Sequence, residues 1–265
     1  EYTGPVRQSE GDELDEPTSA RIDVRVGEHD PTGFEKELIE TKIEKLFGGF
    51  EVYLMADMSV SMADYLNGVK KSEAQRDMVF LLIDSIMTSA AVARHADRKL
   101  KAPMPNKICL TVFGGTTEVV LPVTDKWGPV EQIKVFRALD KPANGSTPDD
   151  VALIMVNEQI NSAEKAEAEI KRKKAKKQEW QIRRFVIATA DGGSNNYARV
   201  KAANDNLLAM GIPVDLFLIG AAEDDNLVSA VRQAYQSATP FPNVDSLAEK
   251  GLETLTRRIK EIYGE

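Results

Sequence analysis

Short apolar runs that alternate with longer amphipathic ones set the fold class of this chain. Val52–Ala56, Ile108–Phe113, Phe185–Thr189 and Val214–Ile219 are each too short for a core helix and rich in the branched and aromatic residues that favour strands. Between them, apolar residues recur at helical spacing: Met78, Leu81, Leu82, Ile83, Ile86 and Met87 within Ser72–Arg98, then the segments Val130–Leu139, Pro148–Ala175 and Tyr197–Met210. Asn226–Tyr235 and Leu247–Tyr263 predict the last two helices. One connection is different. Gly114-Gly115-Thr116 is too short to hold a crossover helix, so Thr117–Val123 returns as an antiparallel partner of Ile108–Phe113. The prediction is a Rossmann-like, doubly wound α/β fold. Its sheet is mostly parallel with one antiparallel edge strand, and helices cover both faces.

The pattern starts at about residue 47. Residues 1–46 read as an acidic N-terminal extension: residues 1 to 20 are polar and loose, Ile22, Val24 and Val26 alternate as in an extended segment, and Phe34–Leu46 is a short helix ended by Gly48-Gly49. Residues 47–265 are the expected domain. With 42% hydrophobic residues the chain can bury a sizeable core, and no apolar run is long enough to span a bilayer. The net charge of −8 argues against nucleic acid as a partner, because phosphate binding needs a basic surface. Cys109 is the single cysteine and sits in an apolar run, so it reads as a core thiol. With no signal peptide visible ahead of the domain, the expected location is cytoplasmic.

In open α/β sheets ligands bind beyond the carboxyl ends of the strands, and that is where the polar residues of interest fall. Asp57-Met58-Ser59-Val60-Ser61 follows the first strand, and alternation in an extended segment turns Asp57, Ser59 and Ser61 to one side. Asp191-Gly192-Gly193 follows a later strand, and Gly145-Ser146-Thr147-Pro148 opens a helix at the same edge. Two carboxylates and three hydroxyls are hard oxygen donors. Without His or Cys among them they suit Mg²⁺, Mn²⁺ or Ca²⁺ and disfavour Zn²⁺. If the carboxylates act through water, the ion keeps an open position that a carboxylate from another molecule can fill.

The ordered set Asp57-x-Ser59-x-Ser61-Met62, Thr147-Pro148 and Thr189-Ala190-Asp191-Gly192 resembles the metal-ion-dependent adhesion site (MIDAS) of von Willebrand factor A (VWA) domains. That resemblance implies Ser59, Ser61 and Thr147 as direct ligands of a Mg²⁺ ion, with Asp57 and Asp191 close behind. It implies no enzymatic activity but a protein partner that offers an Asp or Glu carboxylate to the metal. The sequence departs from the family pattern at Ala190, between Thr189 and Asp191, and at Ser146, where the family often has glycine. The chain also resembles the intracellular A domains of chelatase subunits and of proteins associated with MoxR-class AAA+ ATPases. The acidic stretch Gly11-Asp12-Glu13-Leu14-Asp15 is similar to that group, which makes an AAA+ ATPase an expected partner.

Other readings of the same residues are a metal-dependent phosphohydrolase of the haloacid dehalogenase type and a structural domain with a degenerate site. The first meets an obstacle in Ser59, which stands where such enzymes carry a second Asp. Two scattered histidines, His29 and His95, make no triad. Asp149 and Asp150 suit a helix N-terminus and also the outer surroundings of the metal. The run Lys171–Lys177 reads as a solvated helix end.

Overall fold

A computed structural model describes residues 47–96, 106–141, 143–173, 181–223, 226–235 and 237–263. Except for Gln181, these belong to the larger of two units into which the chain divides, Phe47–Lys174 with Ile182–Glu265. The predicted N-terminal extension, including the helix Phe34–Leu46, lies outside the described residues. So do His29, Trp180 and the side chains of His95 and of Lys171–Lys177.

Eight strands and six helices are described: β1 Phe47–Met58, β2 Tyr65–Leu66, β3 Val69–Lys70, α1 Lys71–Ala96, β4 Lys107–Gly114, β5 Glu118–Thr124, α2 Pro129–Leu139, α3 Asp149–Lys173, β6 Gln181–Ala190, α4 Tyr197–Ala209, β7 Val214–Ile219, α5 Asn226–Ala234, β8 Ser237–Phe241 and α6 Leu247–Tyr263. The main sheet has the order β5-β4-β1-β6-β7-β8. β1 pairs in parallel with β4, as do β6 with β7 and β7 with β8. β5 alone runs antiparallel, at one edge, with register shifts against β4 between Ile108 and Thr111. This is the expected doubly wound sheet.

β1 shows why both faces need helices. Phe50, Val52, Leu54, Ala56 and Met58 join one apolar cluster, and Tyr53 and Met55 join the other. Period-2 alternation sends neighbouring residues to opposite faces, and both sets are apolar, so the strand is central. The first cluster takes Met78, Leu82, Ile83 and Ile86 from α1, Val135 and Leu139 from α2, and Leu247 and Leu255 from α6. The second takes Ala152, Leu153, Val156 and Ile160 from α3, Val200 and Leu207 from α4, and Val228 and Val231 from α5. Cys109 is a buried free thiol in this second core, where burial pushes its pKa up to about 12. Trp127 packs at the edge of the first, its ring 5.7 Å from that of Phe80.

Two elements go beyond the sequence reading. β8, Ser-Ala-Thr-Pro-Phe, is a sixth strand of the main sheet and carries Pro240 opposite Leu218. An edge position tolerates the missing N–H of proline. The small hairpin β2–β3 turns at Asn67 and Gly68, whose φ values of 53° and 83° are those of a turn with two left-handed central residues.

Candidate metal centre

The site begins where β1 ends. Asp57 and Met58 are its last two residues, and a 3₁₀ turn, Val60–Ala63, follows. Ser59 lies between them in an extended conformation, and its main-chain N–H donates to Asp57 Oδ1 at 2.7 Å. The buried side chain of Met62 pins the turn into the core. Neighbouring elements fix the strand end from two sides. From α1, Gln75 donates its amide to the main-chain carbonyl of Asp57 at 2.8 Å. From β6, the Thr189 hydroxyl lies 2.6 Å from Gln75 Oε1 and 3.1 Å from the Met55 carbonyl oxygen.

The loop that carries Thr147 docks on the same edge through its backbone. Asn144 N–H donates to the Met58 carbonyl at 2.8 Å, Gly115 N–H to the Asn144 carbonyl at 2.7 Å, and Val60 N–H to the Gly145 carbonyl at 3.3 Å. This approach leaves no room for side chains. A Cβ on Gly114 would lie 2.7 Å from the Met58 carbonyl oxygen, and one on Gly145 would collide with the backbone of Gly115. Gly145 also has φ +74°, in the left-handed region. Asn195 closes the other side: its N–H donates to the Thr147 carbonyl at 3.2 Å and its side-chain oxygen accepts from Thr147 N–H.

Four of the five expected ligands form a chain of hydrogen bonds. Asp57 Oδ1 accepts from Ser59 N–H, the Ser59 and Ser61 hydroxyls lie 3.2 Å apart, and the Ser61 hydroxyl donates to Asp191 Oδ1 at 2.6 Å. Thr147 shares the edge, but its hydroxyl is not part of that chain. The second oxygen of Asp191 accepts from Lys71 Nζ at 2.7 Å. Asp57 differs. Its Oδ2 is buried without a hydrogen-bond partner, one of three such side-chain atoms among the described residues. The other two, the Thr111 hydroxyl and the Trp127 indole N–H, are uncharged. Burial, with the nearby carboxylates of Asp191 and Asp149 adding to it, pushes the Asp57 pKa up to about 7.

Asp149, in the first turn of α3, is held by the Ser194 hydroxyl at 2.5 Å and the Tyr235 hydroxyl at 2.8 Å, so it braces the Thr147 loop from behind. Burial raises its pKa as well. Asp150 pairs with Arg199 at 3.1 Å. The rim is open: Ser146 and Asn195 are exposed, as are Val60 at 58% and Tyr65 at 67%.

A dication fits this donor set. The orphaned Asp57 oxygen is a buried carboxyl oxygen with neither a hydrogen-bond partner nor a counter-charge, and the hydrogen-bonded row of Ser59, Ser61 and Asp191 runs from the end of β1 to the end of β6. Among the described residues no three His, Cys, Asp or Glu side chains cluster as a metal site, so hydroxyls would have to complete the shell. Sequence reading did not find Gln75, Lys71 or the bracing of Asp149 by Tyr235. The Asn67-Gly68 turn was the available signal for Lys71, because the hairpin it closes delivers that lysine to the site.

No protein-family model and no curated protein matches the sequence. Solved structures do. The VWA domain of SpRpn10 is similar over 76% of this chain and 92% of its own, with 13% identity and a TM-score of 0.51. The conserved hypothetical protein BatB from Bacteroides thetaiotaomicron matches over 82% of this chain and 100% of its own, at 16% identity and a TM-score of 0.52. The vWF domain of the type V pili tip protein Mfa5 from Porphyromonas gingivalis matches over 82% and 97%, at 8% identity and a TM-score of 0.56. The strand order, the antiparallel edge strand and these likenesses together establish that this chain has the VWA fold.

Proposed function

We propose that the chain is a divalent-metal-dependent protein-binding module, with Asp57, Ser59, Ser61, Thr147 and Asp191 holding Mg²⁺ or Mn²⁺. The observation that carries this reading is the buried Asp57 oxygen without a partner, on a carboxyl whose other oxygen begins the hydrogen-bonded row of Ser59, Ser61 and Asp191. A bound cation supplies the missing counter-charge and an open coordination position. A partner's Asp or Glu carboxylate fills that position, so the role is binding and not catalysis. No helix among the described residues is long and apolar enough to cross a membrane. The acidic segment Gly11–Asp15 and the single cysteine favour a cytoplasmic setting and a partnership with an AAA+ ATPase of the chelatase-associated kind.

The test is calorimetric titration of Mn²⁺ and Mg²⁺ into the metal-stripped full chain beside Asp57→Ala. Saturable 1:1 binding that the substitution abolishes is expected. Water-proton relaxation then reports the open position: a partner peptide bearing one Asp displaces water from bound Mn²⁺, and its Asn counterpart does not. Absence of cation binding by the wild type overturns the reading.

A further inference from the structure

The two carboxylates of the site are unequal, and Lys71 makes them so. Asp57 has a buried oxygen with no partner, whereas both oxygens of Asp191 are taken, one by the Ser61 hydroxyl and the other by the Lys71 ammonium. The Asp191 side chain is fully buried and that of Lys71 only 15% exposed, so the pair is weakly screened.

Lys71 is placed there by several features at once. The β2–β3 hairpin ends at Lys70, and Lys71 N–H donates to the Asp64 carbonyl at 3.0 Å, which fixes the start of its side chain. The end of the side chain passes over Gly220, just beyond β7. A Cβ on Gly220 would lie 3.3 Å from Lys71 Cε and 3.6 Å from Nζ. A bare glycine therefore leaves the lysine its path. Lys71 is also the first residue of α1, where the helix dipole disfavours a cation. Its charge sits against local preference, and the compensation it finds is Asp191.

We infer that Lys71 is a built-in counter-ion that competes with a divalent cation for Asp191 and thereby sets the affinity of the site. This rests on the metal-binding reading above. In the metal-free state the ammonium holds Asp191 in place. When a cation arrives it must displace the lysine or share the carboxylate with it, and either course weakens binding. The negative charge that Lys71 cancels is the charge a partner's carboxylate would restore, so cation and partner strengthen each other's binding.

The experiment is titration of Mn²⁺ alone into the metal-stripped full chain, as wild type, Lys71→Met, Lys71→Gln and Lys71→Arg, with thermal unfolding of each in chelator and in saturating Mn²⁺. Removing a unit charge this close to a dication should tighten Mn²⁺ binding about tenfold or more in Lys71→Met and Lys71→Gln, while Lys71→Arg stays near the wild type. Both neutral variants should melt below the wild type in chelator, and Mn²⁺ should close that gap. Binding by the neutral variants but not by the wild type is the same effect in its extreme form. Binding by the wild type with unchanged or weaker affinity in both neutral variants overturns this inference and leaves the metal reading intact. Binding by none of the four chains overturns both.

Discussion

The Gln75 amide and the Asp57 carbonyl meet at 2.8 Å inside the core, and the other end of the same side chain accepts from Thr189. One fully buried glutamine thus ties α1 to the ends of β1 and β6. Its removal takes the side-chain donor from the buried Asp57 carbonyl and leaves the Thr189 hydroxyl with only the longer contact to the Met55 carbonyl at 3.1 Å. Gln75→Leu should lower stability by about 2–3 kcal/mol, because buried polar groups left unpaired cost more than the bond itself contributes. Urea unfolding measures this. Mn²⁺ affinity should fall with it, since the strand end carries Asp57.

The buried Asp57 carboxyl gives a pH dependence of definite sign. Its pKa is about 7 in the folded chain against an ordinary value of 3.8, so the folded state binds the proton more tightly. The associated stability is fully present below the ordinary value and is lost as pH rises through about 7. In chelator, urea unfolding between about pH 5 and pH 8 should show wild-type stability declining relative to Asp57→Asn, which cannot titrate. Mn²⁺ needs the ionised carboxylate, so its affinity should rise over the same interval, with protons released on binding. Equal pH dependence in the two chains would contradict the burial argument.

Much of this was legible from the sequence, for particular reasons. β1, β4 and β7 are buried on both faces, so their near-continuous apolar runs announced parallel central strands. Asp57, Ser59, Ser61, Thr147 and Asp191 all lie at the sheet's carboxyl edge because the order of strands and helices dictates that edge. β8 was not legible: its sequence is Ser-Ala-Thr-Pro-Phe, and only pairing with β7 makes it a strand. Gln75 and Lys71 were equally hidden. Both sit in a helix where a polar residue ordinarily signals solvent. Their roles depend on long-range contacts, 114 residues in sequence from Gln75 to Thr189 and 120 from Lys71 to Asp191.

At the opposite end of the sheet, Asp215 anchors the last helix. It is buried at the start of β7 and accepts from Arg258 Nε at 2.6 Å and Nη2 at 2.9 Å, and from Arg257 at 3.0 Å. Burial alone would raise its pKa, but the Arg258 guanidinium, with a Ser237 hydrogen bond and the Arg257 charge beside it, overrides this and holds it below the ordinary carboxylate value. The sign is therefore opposite to that of Asp57: this stability is present above the ordinary value and lost as pH falls through the lowered one. Arg258→Ala leaves a buried charge with Ser237 and the half-exposed Arg257 as partners, and should cost about 3 kcal/mol, toward the low end for breaking such a pair. Chemical denaturation of this variant should show the loss shrinking in acid.

Gly145 links backbone conformation to the site most directly. It has φ +74°, its carbonyl accepts from Val60, and a Cβ there would meet the backbone of Gly115. Gly145→Ala must therefore either hold a left-handed alanine, at about 1–2 kcal/mol, or move the 143–147 loop away from the end of β4. The clash is with backbone, which cannot rotate aside, so the loop should move. The Thr147 hydroxyl would then retreat from the edge while Asp57, Ser59, Ser61 and Asp191 stay linked. Mn²⁺ affinity should drop by about tenfold or more, because a rigid site tolerates little displacement of one ligand. Stability in chelator should fall by about 2 kcal/mol, the sum of strain and lost loop hydrogen bonds. Gly192→Ala is the control. A Cβ there has nothing within 4 Å, so affinity and stability should both stay near those of the wild type. Retention of full Mn²⁺ affinity by Gly145→Ala would mean that Thr147 is not a ligand, and that the cation is held by the β1 and β6 strand ends alone.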